Sequence, residues 1–202
     1  MNDLLIIIMT RAGSKRLPEK NIKLFAEKSL VEITMEQAVR IQNKLKKRNY
    51  CSLQTTVVLH TDCKKTLELS KKYKTIKIVK RPPELSLDAT MSEENIHYIL
   101  KNTEKHKNFL LLQVTSPLRW NIDIENIIEY IRDCKCAVSV NNDNKYNGAL
   151  YISDCDYFLE NKTFVPQKYY KMPSERSIDI DTQKDFNYAE KIYKEYVRSF
   201  VI

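Results

Sequence analysis

Four groups of residues in this chain are of types and spacings that could do chemistry. The first is Thr10-Arg11-Ala12-Gly13-Ser14-Lys15-Arg16-Leu17-Pro18-Glu19-Lys20-Asn21, in which Arg11, Lys15, Arg16 and Lys20 stand against a single acid, Glu19. A loop of this kind, with backbone N–H groups near Gly13 and Ser14 able to turn inward, suits a triphosphate. The same composition also fits an ordinary exposed basic loop. The pattern is neither G-x-x-x-x-G-K-[ST] nor G-x-G-x-x-G.

The second group is Arg81-Pro82-Pro83-Glu84-Leu85, with Asp88 and Ser92 following. Two prolines exclude a helix interior and a central strand, so Arg81 sits on a stiff loop. It is a candidate for base or phosphate recognition, or for a surface pair with Glu84. The third group is Gln113-Val114-Thr115-Ser116-Pro117-Leu118-Arg119. Gln113 both donates and accepts, as a sugar or a base edge requires; alternatively the segment is a helix start with Ser116 as N-cap and Pro117 at N1. The fourth is Ser177-Ile178-Asp179-Ile180-Asp181-Thr182. If it is a strand, Asp179 and Asp181 share a face. Adjacent carboxylates repel unless they share a cation, and Mg2+ takes one or two carboxylates together with substrate phosphates. The alternative is one aspartate capping the next helix and the other solvated.

These groups must be positioned by the elements between them. Leu4–Met9 is a continuous apolar run and reads as a strand buried on both faces. Thr55–His60, Thr75–Val79, Phe109–Val114, Ala137–Val140, Ala149–Ile152 and Ser177–Asp181 read as further strands. Helices are expected from Ser29, with Ser29-x-x-Glu32 as a capping box, over Cys63–Lys72 with Asp62 as cap, after Thr90-x-x-Glu93, over Ile122–Arg132, and after Thr182-x-x-Asp185. Repeated β-α units with short connections predict an α/β protein with a mainly parallel sheet and helices on both faces. In such folds ligands bind beyond the carboxyl ends of the strands, where the loops around Arg11, Arg81 and Gln113 would lie. No linker is evident, so 1–202 reads as one domain.

Composition narrows the function. The chain of 202 residues carries a formal net charge of +8, with 43% hydrophobic and 30% charged residues. Its lysines are spread over Lys44–Arg48, Lys64-Lys65, Lys71 to Lys74 and Lys101 to Lys107, which reads as a solvated surface rather than a nucleic-acid stripe. The charge then predicts a small anion at one focused site. Five cysteines, Cys51, Cys63, Cys134, Cys136 and Cys155, show no C-x-x-C pair and read as free thiols of a reducing compartment. The first apolar run is too short to span a membrane, and a cytoplasmic location is expected.

Taken together, the motifs resemble the acylneuraminate cytidylyltransferase (CMP-sialic acid synthetase) family. Arg11 to Asn21 resembles its R-G-G-S-K-R-[IL]-P-x-K-N signature, and His60-Thr61-Asp62 its S-T-D. Arg81 to Leu85 is similar to R-P-x-E-L, and Leu112 to Arg119 to L-Q-P-T-S-P-L-R. Asn147 to Ile152 follows N-G-A-[IL]-Y-[IV], and Ser177 to Thr182 follows S-I-D-I-D-T. The resemblance implies a Rossmann-like three-layer nucleotidyltransferase fold that moves CMP from CTP to an acidic, sialic-acid-like sugar with Mg2+ and releases pyrophosphate. By motif, Arg11, Gly13, Ser14, Lys15, Lys20 and Asn21 would hold the triphosphate, and Arg81 and Ser92 the cytidine. Gln113 would face the acceptor, and Asp179 and Asp181 would ligate the metal; Arg11, Lys20 and Asp181 would be catalytic. Family members usually carry a long dimerisation arm where only Asn141 to Tyr146 remain here. A homodimer is therefore left open, as are a smaller acid acceptor and a non-catalytic CTP- or CMP-binding protein. No nucleic acid or membrane partner is expected. Ala12 replaces the loop's usual first glycine, which requires a negative φ there.

Overall fold

The computed structural model describes residues 3–13, 16–47 and 54–199. Ser14, Lys15 and Cys51 lie outside the described residues. In chain order the strands are β1 (Leu4–Met9), β2 (Leu24–Phe25), β3 (Lys28–Ser29), β4 (Thr55–Thr61), β5 (Ile76–Lys80), β6 (Asn108–Gln113), β7 (Cys136–Val140), β8 (Tyr146–Asp154) and β9 (Lys168–Lys171). The α-helices are α1 (Leu30–Lys47), α2 (Lys64–Ser70), α3 (Ser92–Lys101), α4 (Asn121–Glu129), α5 (Cys155–Asn161) and α6 (Gln183–Ser199).

Seven strands form one sheet in the order β5-β4-β1-β6-β8-β7-β9, and β2 and β3 form a separate short hairpin. β5, β4, β1 and β6 are parallel, β8 runs antiparallel between β6 and β7, and β9 is parallel to β7. The sheet is thus mainly parallel, as expected. Burial of β1 on both faces follows from its unbroken apolar run. Leu4, Ile6 and Ile8 face a core shared with α1, α4 and α6, and Leu5 and Ile7 face one shared with α3 and α5. None of the described helices is long and apolar enough to cross a membrane.

Register creates the site. Met9 of β1 lies beside His60 of β4 and Gln113 of β6, and His60 lies beside Val79 of β5. Four strands therefore end on one line, and the chain after each enters the same edge. Because β8 runs the other way, with Leu150 beside Leu112, its beginning at Asn147 and Gly148 reaches that edge too. β7 joins β8 by a tight turn in which the Asn141 N–H donates to the Lys145 carbonyl at 2.9 Å and Asn144 takes a left-handed φ of 60°.

Four local expectations are corrected. Ser177–Asp181 is not a strand: it follows Pro173 and a 3-10 turn over Ser174–Arg176, and Ser177 Oγ donates back to the Met172 and Pro173 carbonyls. A ladder is replaced by one cross-link, from the Ile180 N–H to the Thr115 carbonyl at 2.8 Å. Asp62 does not cap α2, because its carboxylate accepts the Ala12 N–H at 2.9 Å; Thr61 Oγ1 accepts the Cys63 N–H instead. α3 begins one residue later than the Thr90/Glu93 pattern predicts, with Glu94 accepting the Met91 N–H. The Ser29/Glu32 and Thr182/Asp185 boxes form as expected. Ser116 is not an N-cap: it is buried, and α4 starts at Asn121 with Asp123 accepting the Trp120 N–H.

The turn after β6 is held instead by Arg119. Its side chain is 1% exposed and donates to the Gln113 and Ser116 carbonyls and to Thr34 Oγ1 of α1. Burial pushes its pKa down to about 9, with Asp123 opposing. Removing the guanidinium takes a donor from the Gln113 and Ser116 carbonyls and from Thr34 Oγ1, and the Gln113 carbonyl keeps only the Ser116 N–H among the contacts of this turn. Arg119→Met is expected to lower unfolding free energy by about 3 kcal/mol, read by urea denaturation.

Candidate functional site

At the carboxyl edge of β1, β4, β5 and β6 lies a cavity of about 500 Å3. Arg11, Gly13, Arg16, Lys20 and Asn21 from the first loop form one wall. Arg81, Asp88, Thr90, Ser92 and Asn95 form the opposite wall. Gln113, Thr115 and Asp181 close the third side. Every sequence-proposed residue among those described lines this one space except Asp179, whose carboxylate is near enough to Asp181 to feel its charge.

The first loop is positioned by both of its ends. Thr10 N–H donates to the His60 carbonyl, and Thr10 Oγ1 donates to Thr61 Oγ1 at 2.7 Å. Further along, Glu19 takes a left-handed φ of 53° and Lys20 opens a 3-10 turn. Lys20 is 8% exposed, and its Nζ donates to the Ile180 carbonyl at 2.5 Å and to Asp181 Oδ1 at 3.1 Å. Arg16 Nη1 reaches the other oxygen of Asp181 at 2.8 Å. Gly13 has no left-handed φ, and a Cβ placed there would meet nothing within 4 Å among the described residues. Ala12 likewise keeps a negative φ, the condition its presence required.

Arg81 is buried and does not pair with Glu84. Its Nε and Nη2 donate to the Leu85 carbonyl at 2.8 and 2.5 Å, and its Nη1 to the Thr10 carbonyl at 3.3 Å. Burial depresses its pKa, with Asp62 opposing. It thus fastens its own loop to the end of β1 while presenting part of its surface to the cavity. Behind it, the ring nitrogens of fully buried His60 lie 3.0 Å from the Val79 carbonyl and 3.0 Å from Asn95 Oδ1. Asn95 Nδ2 donates to the Met91 carbonyl, so this chain of contacts braces the start of α3, where Ser92 sits.

Asp179 as a residue keeps one side open to solvent, but protein atoms crowd its carboxylate. That crowding pushes its pKa up, nearby Asp181 adds to the rise, and the Thr115 hydroxyl and Lys20 work against it. Mutual repulsion between two such groups is the electrostatic situation a divalent cation relieves. No group of three or more His, Cys, Asp or Glu suited to a metal occurs among the described residues. The available donors are therefore these two carboxylates, which fits a cation that completes its shell with phosphate oxygens and water. Gly148 lies beside Asp179: its φ is +73°, and an added Cβ would make ordinary contact, 3.7 Å from Asp179 Oδ2.

Arg16, Asp88, Thr90, Asn95 and Thr115 also line the cavity, though the sequence named none of them individually as a site residue: Arg16 was counted only among the loop cations and Thr90 only as a helix cap. Arg16 and Asp88 were visible inside the motifs. Asn95 gave no signal, because an asparagine on a helix face has no pattern of its own.

A family model described as cytidylyltransferase matches residues 5–200. The chain belongs to the cytidylyltransferase family. Among curated relatives of this cytidylyltransferase-family chain, the N-acylneuraminate cytidylyltransferase of Streptococcus agalactiae serotype III (strain NEM316) is 31% identical over 218 residues, covering 89% of this chain and 51% of the relative. The chain thus spans about half the length of that relative. The CMP-N,N'-diacetyllegionaminic acid synthase of Legionella pneumophila (strain Philadelphia 1) is 29% identical, covering 94% of this chain and 95% of the relative. In fold, a CMP:2-keto-3-deoxy-manno-octonic acid synthetase solved with CTP superposes with a TM-score of 0.74 at 14% identity, covering 96% of this chain and all of that one.

Gly148 offers a local test. A left-handed φ costs an alanine about 1–2 kcal/mol, while 3.7 Å to Asp179 is ordinary contact. Gly148→Ala should therefore lower unfolding free energy by about that amount in chemical denaturation.

Proposed function

We propose that this chain is a CTP-dependent cytidylyltransferase that transfers CMP to the hydroxyl of an acidic sugar of the nonulosonic class. The observation that carries the reading is the convergence of Arg11, Lys20, Asn21, Arg81, Ser92, Gln113 and Asp181 on one cavity, from motifs that span the chain. The names of the sialic- and legionaminic-acid relatives support the acceptor class. Residues 1–202 would act as one catalytic domain.

In this reading the acceptor hydroxyl oxygen forms a bond to the α-phosphorus, the bond from that phosphorus to the β-phosphate oxygen breaks, and pyrophosphate leaves with the electron pair. The hydroxyl proton is lost to a base at the site. Negative charge builds on the phosphate oxygens, and fixed cations aimed at them stabilise it without reorganising. Arg11, Arg16 and Lys20 are those cations, and Ser14 and Lys15 belong to the same loop. Arg81 and Ser92 hold the cytidine side, and Gln113 faces the acceptor. Asp179 and Asp181 would hold Mg2+, which supplies charge neutralisation and in-line orientation when bound.

Incubation with CTP, Mg2+ and a panel of nonulosonic and smaller sugar acids is expected to release pyrophosphate with at least one of them. CTP binding without release by any acceptor would show a nucleotide-binding protein instead. Asp181→Asn should reduce turnover by roughly 100-fold or more while leaving the circular dichroism spectrum unchanged. Retained turnover in that variant would remove the metal role from Asp181.

A further inference from the structure

The function proposed above gives no task to Asp88, yet this carboxylate lies in the wall of a cavity built for anions. It is held there by a cation of the opposite wall. Arg11 Nη1 donates to Asp88 Oδ1 at 2.5 Å, joining residues 77 positions apart across the cavity mouth. The arrangement parallels that of Asp181, which Arg16 and Lys20 hold at 2.8 and 3.1 Å. Each carboxylate is thus paired with a side chain whose charge a polyphosphate would also seek.

We propose that Asp88 is an internal competitor for the triphosphate. In the free protein it neutralises Arg11 and keeps that side chain extended toward the cavity. Nucleotide binding exchanges the Arg11–Asp88 pair for an Arg11–phosphate pair. This rests on the proposed function only in taking the ligand to carry a polyphosphate.

Three observations carry the exchange. Arg11 and Asp88 side chains are 28% and 41% exposed, so the pair is screened by water and easily broken. A guanidinium bonds phosphate through a planar fork, so the replacement contact is the stronger one. The loop bearing Asp88 does not depend on the pair for its shape, because Arg81 clamps the Leu85 carbonyl from below and Thr90 Oγ1 donates to the Glu84 carbonyl. The backbone that carries Asp88 therefore stays in place when Arg11 changes partner. A carboxylate that stayed would face the incoming phosphates at close range, where like charges repel. Once transfer leaves a single phosphodiester on the product, Asp88 competes for Arg11 again and favours release.

The test is calorimetric titration with inorganic tripolyphosphate without metal and, separately, with CTP and UTP. Asp88→Asn is expected to bind tripolyphosphate roughly two- to tenfold more tightly than the unmodified protein. Asp88→Glu, which keeps the charge, should bind within about twofold of the unmodified protein. In an Arg11→Met background, Asp88→Asn should tighten tripolyphosphate binding clearly less, since the competition acts through Arg11. Weaker or unchanged tripolyphosphate binding by Asp88→Asn overturns the proposal. So does equal tightening in the Arg11→Met background, which would mean general charge repulsion. If Asp88→Asn tightens tripolyphosphate but CTP and UTP bind alike, the exchange stands and the cytidine reading falls. If CTP is preferred but Asp88→Asn has no effect, the exchange falls and the cytidine reading stands.

Discussion

The site depends on one buried ammonium. Lys20 Nζ, at the end of the first loop, donates to the main-chain carbonyl of Ile180 and to the carboxylate of Asp181. Residue 180 in turn donates its N–H to the carbonyl of Thr115, after β6. Three segments from the start, middle and end of the chain are thereby tied at one point. A buried charge must have partners, and here the partners are groups that shape a cavity. The segment around Asp179 and Asp181 has no strand ladder, so it is held by point contacts: this cross-link, the one to Thr115, Arg16 on Asp181, and the Asp185 carboxylate that accepts the Asp181 N–H. The charge proposed to bind ligand also holds the fold, which would couple stability to occupancy.

The rest of the architecture brings the other walls to that point. Parallel pairing of β4, β1 and β6 ends His60, Met9 and Gln113 side by side, so the loops beyond them cannot avoid one another. The C-terminal helix closes the arrangement from the far end of the chain. Glu190 of α6 accepts the Ala26 N–H at 2.7 Å, and Phe25 packs edge-on against Phe186 and Tyr193. The β2–β3 hairpin is therefore pinned to α6, and the loop just before it cannot shift without moving the helix that begins after Asp181.

Most of the fold was legible because hydrophobic period and capping chemistry are local. Leu4–Met9 has no polar residue to turn outward, so only a strand covered on both faces satisfies it. Ser29 and Glu32, and Thr182 and Asp185, needed nothing beyond four residues of sequence to form their boxes. The failures were non-local. Asp62 looked like a cap by position, but Ala12, fifty residues earlier, takes its carboxylate. Ser177 to Asp181 alternates like a strand, but pairing requires a free neighbour, and a single contact to Thr115 stands in for a ladder. The residues of the cavity were largely legible as motifs. Their existing partners were not, because a sequence shows that Arg11 and Asp88 are charged and not that they meet.

The first loop shows how such partners change the meaning of a motif. Ala12 stands where a glycine is usual in the resembling signature, and its negative φ explains why alanine fits. Its N–H is already given to Asp62, and Gly13 adopts no conformation reserved for glycine. Among the described residues of this loop, the Ala12 N–H is engaged with protein, and the cavity is lined by Gly13 and Asn21 together with the cations Arg11, Arg16 and Lys20. In the proposed reading those side-chain cations take the phosphates. Side-chain cations are strong partners for phosphate, but unlike amides they repel one another when a cavity is empty. Carboxylates that hold them apart and in place are the natural counterpart of that choice, and Asp88 and Asp181 occupy those positions.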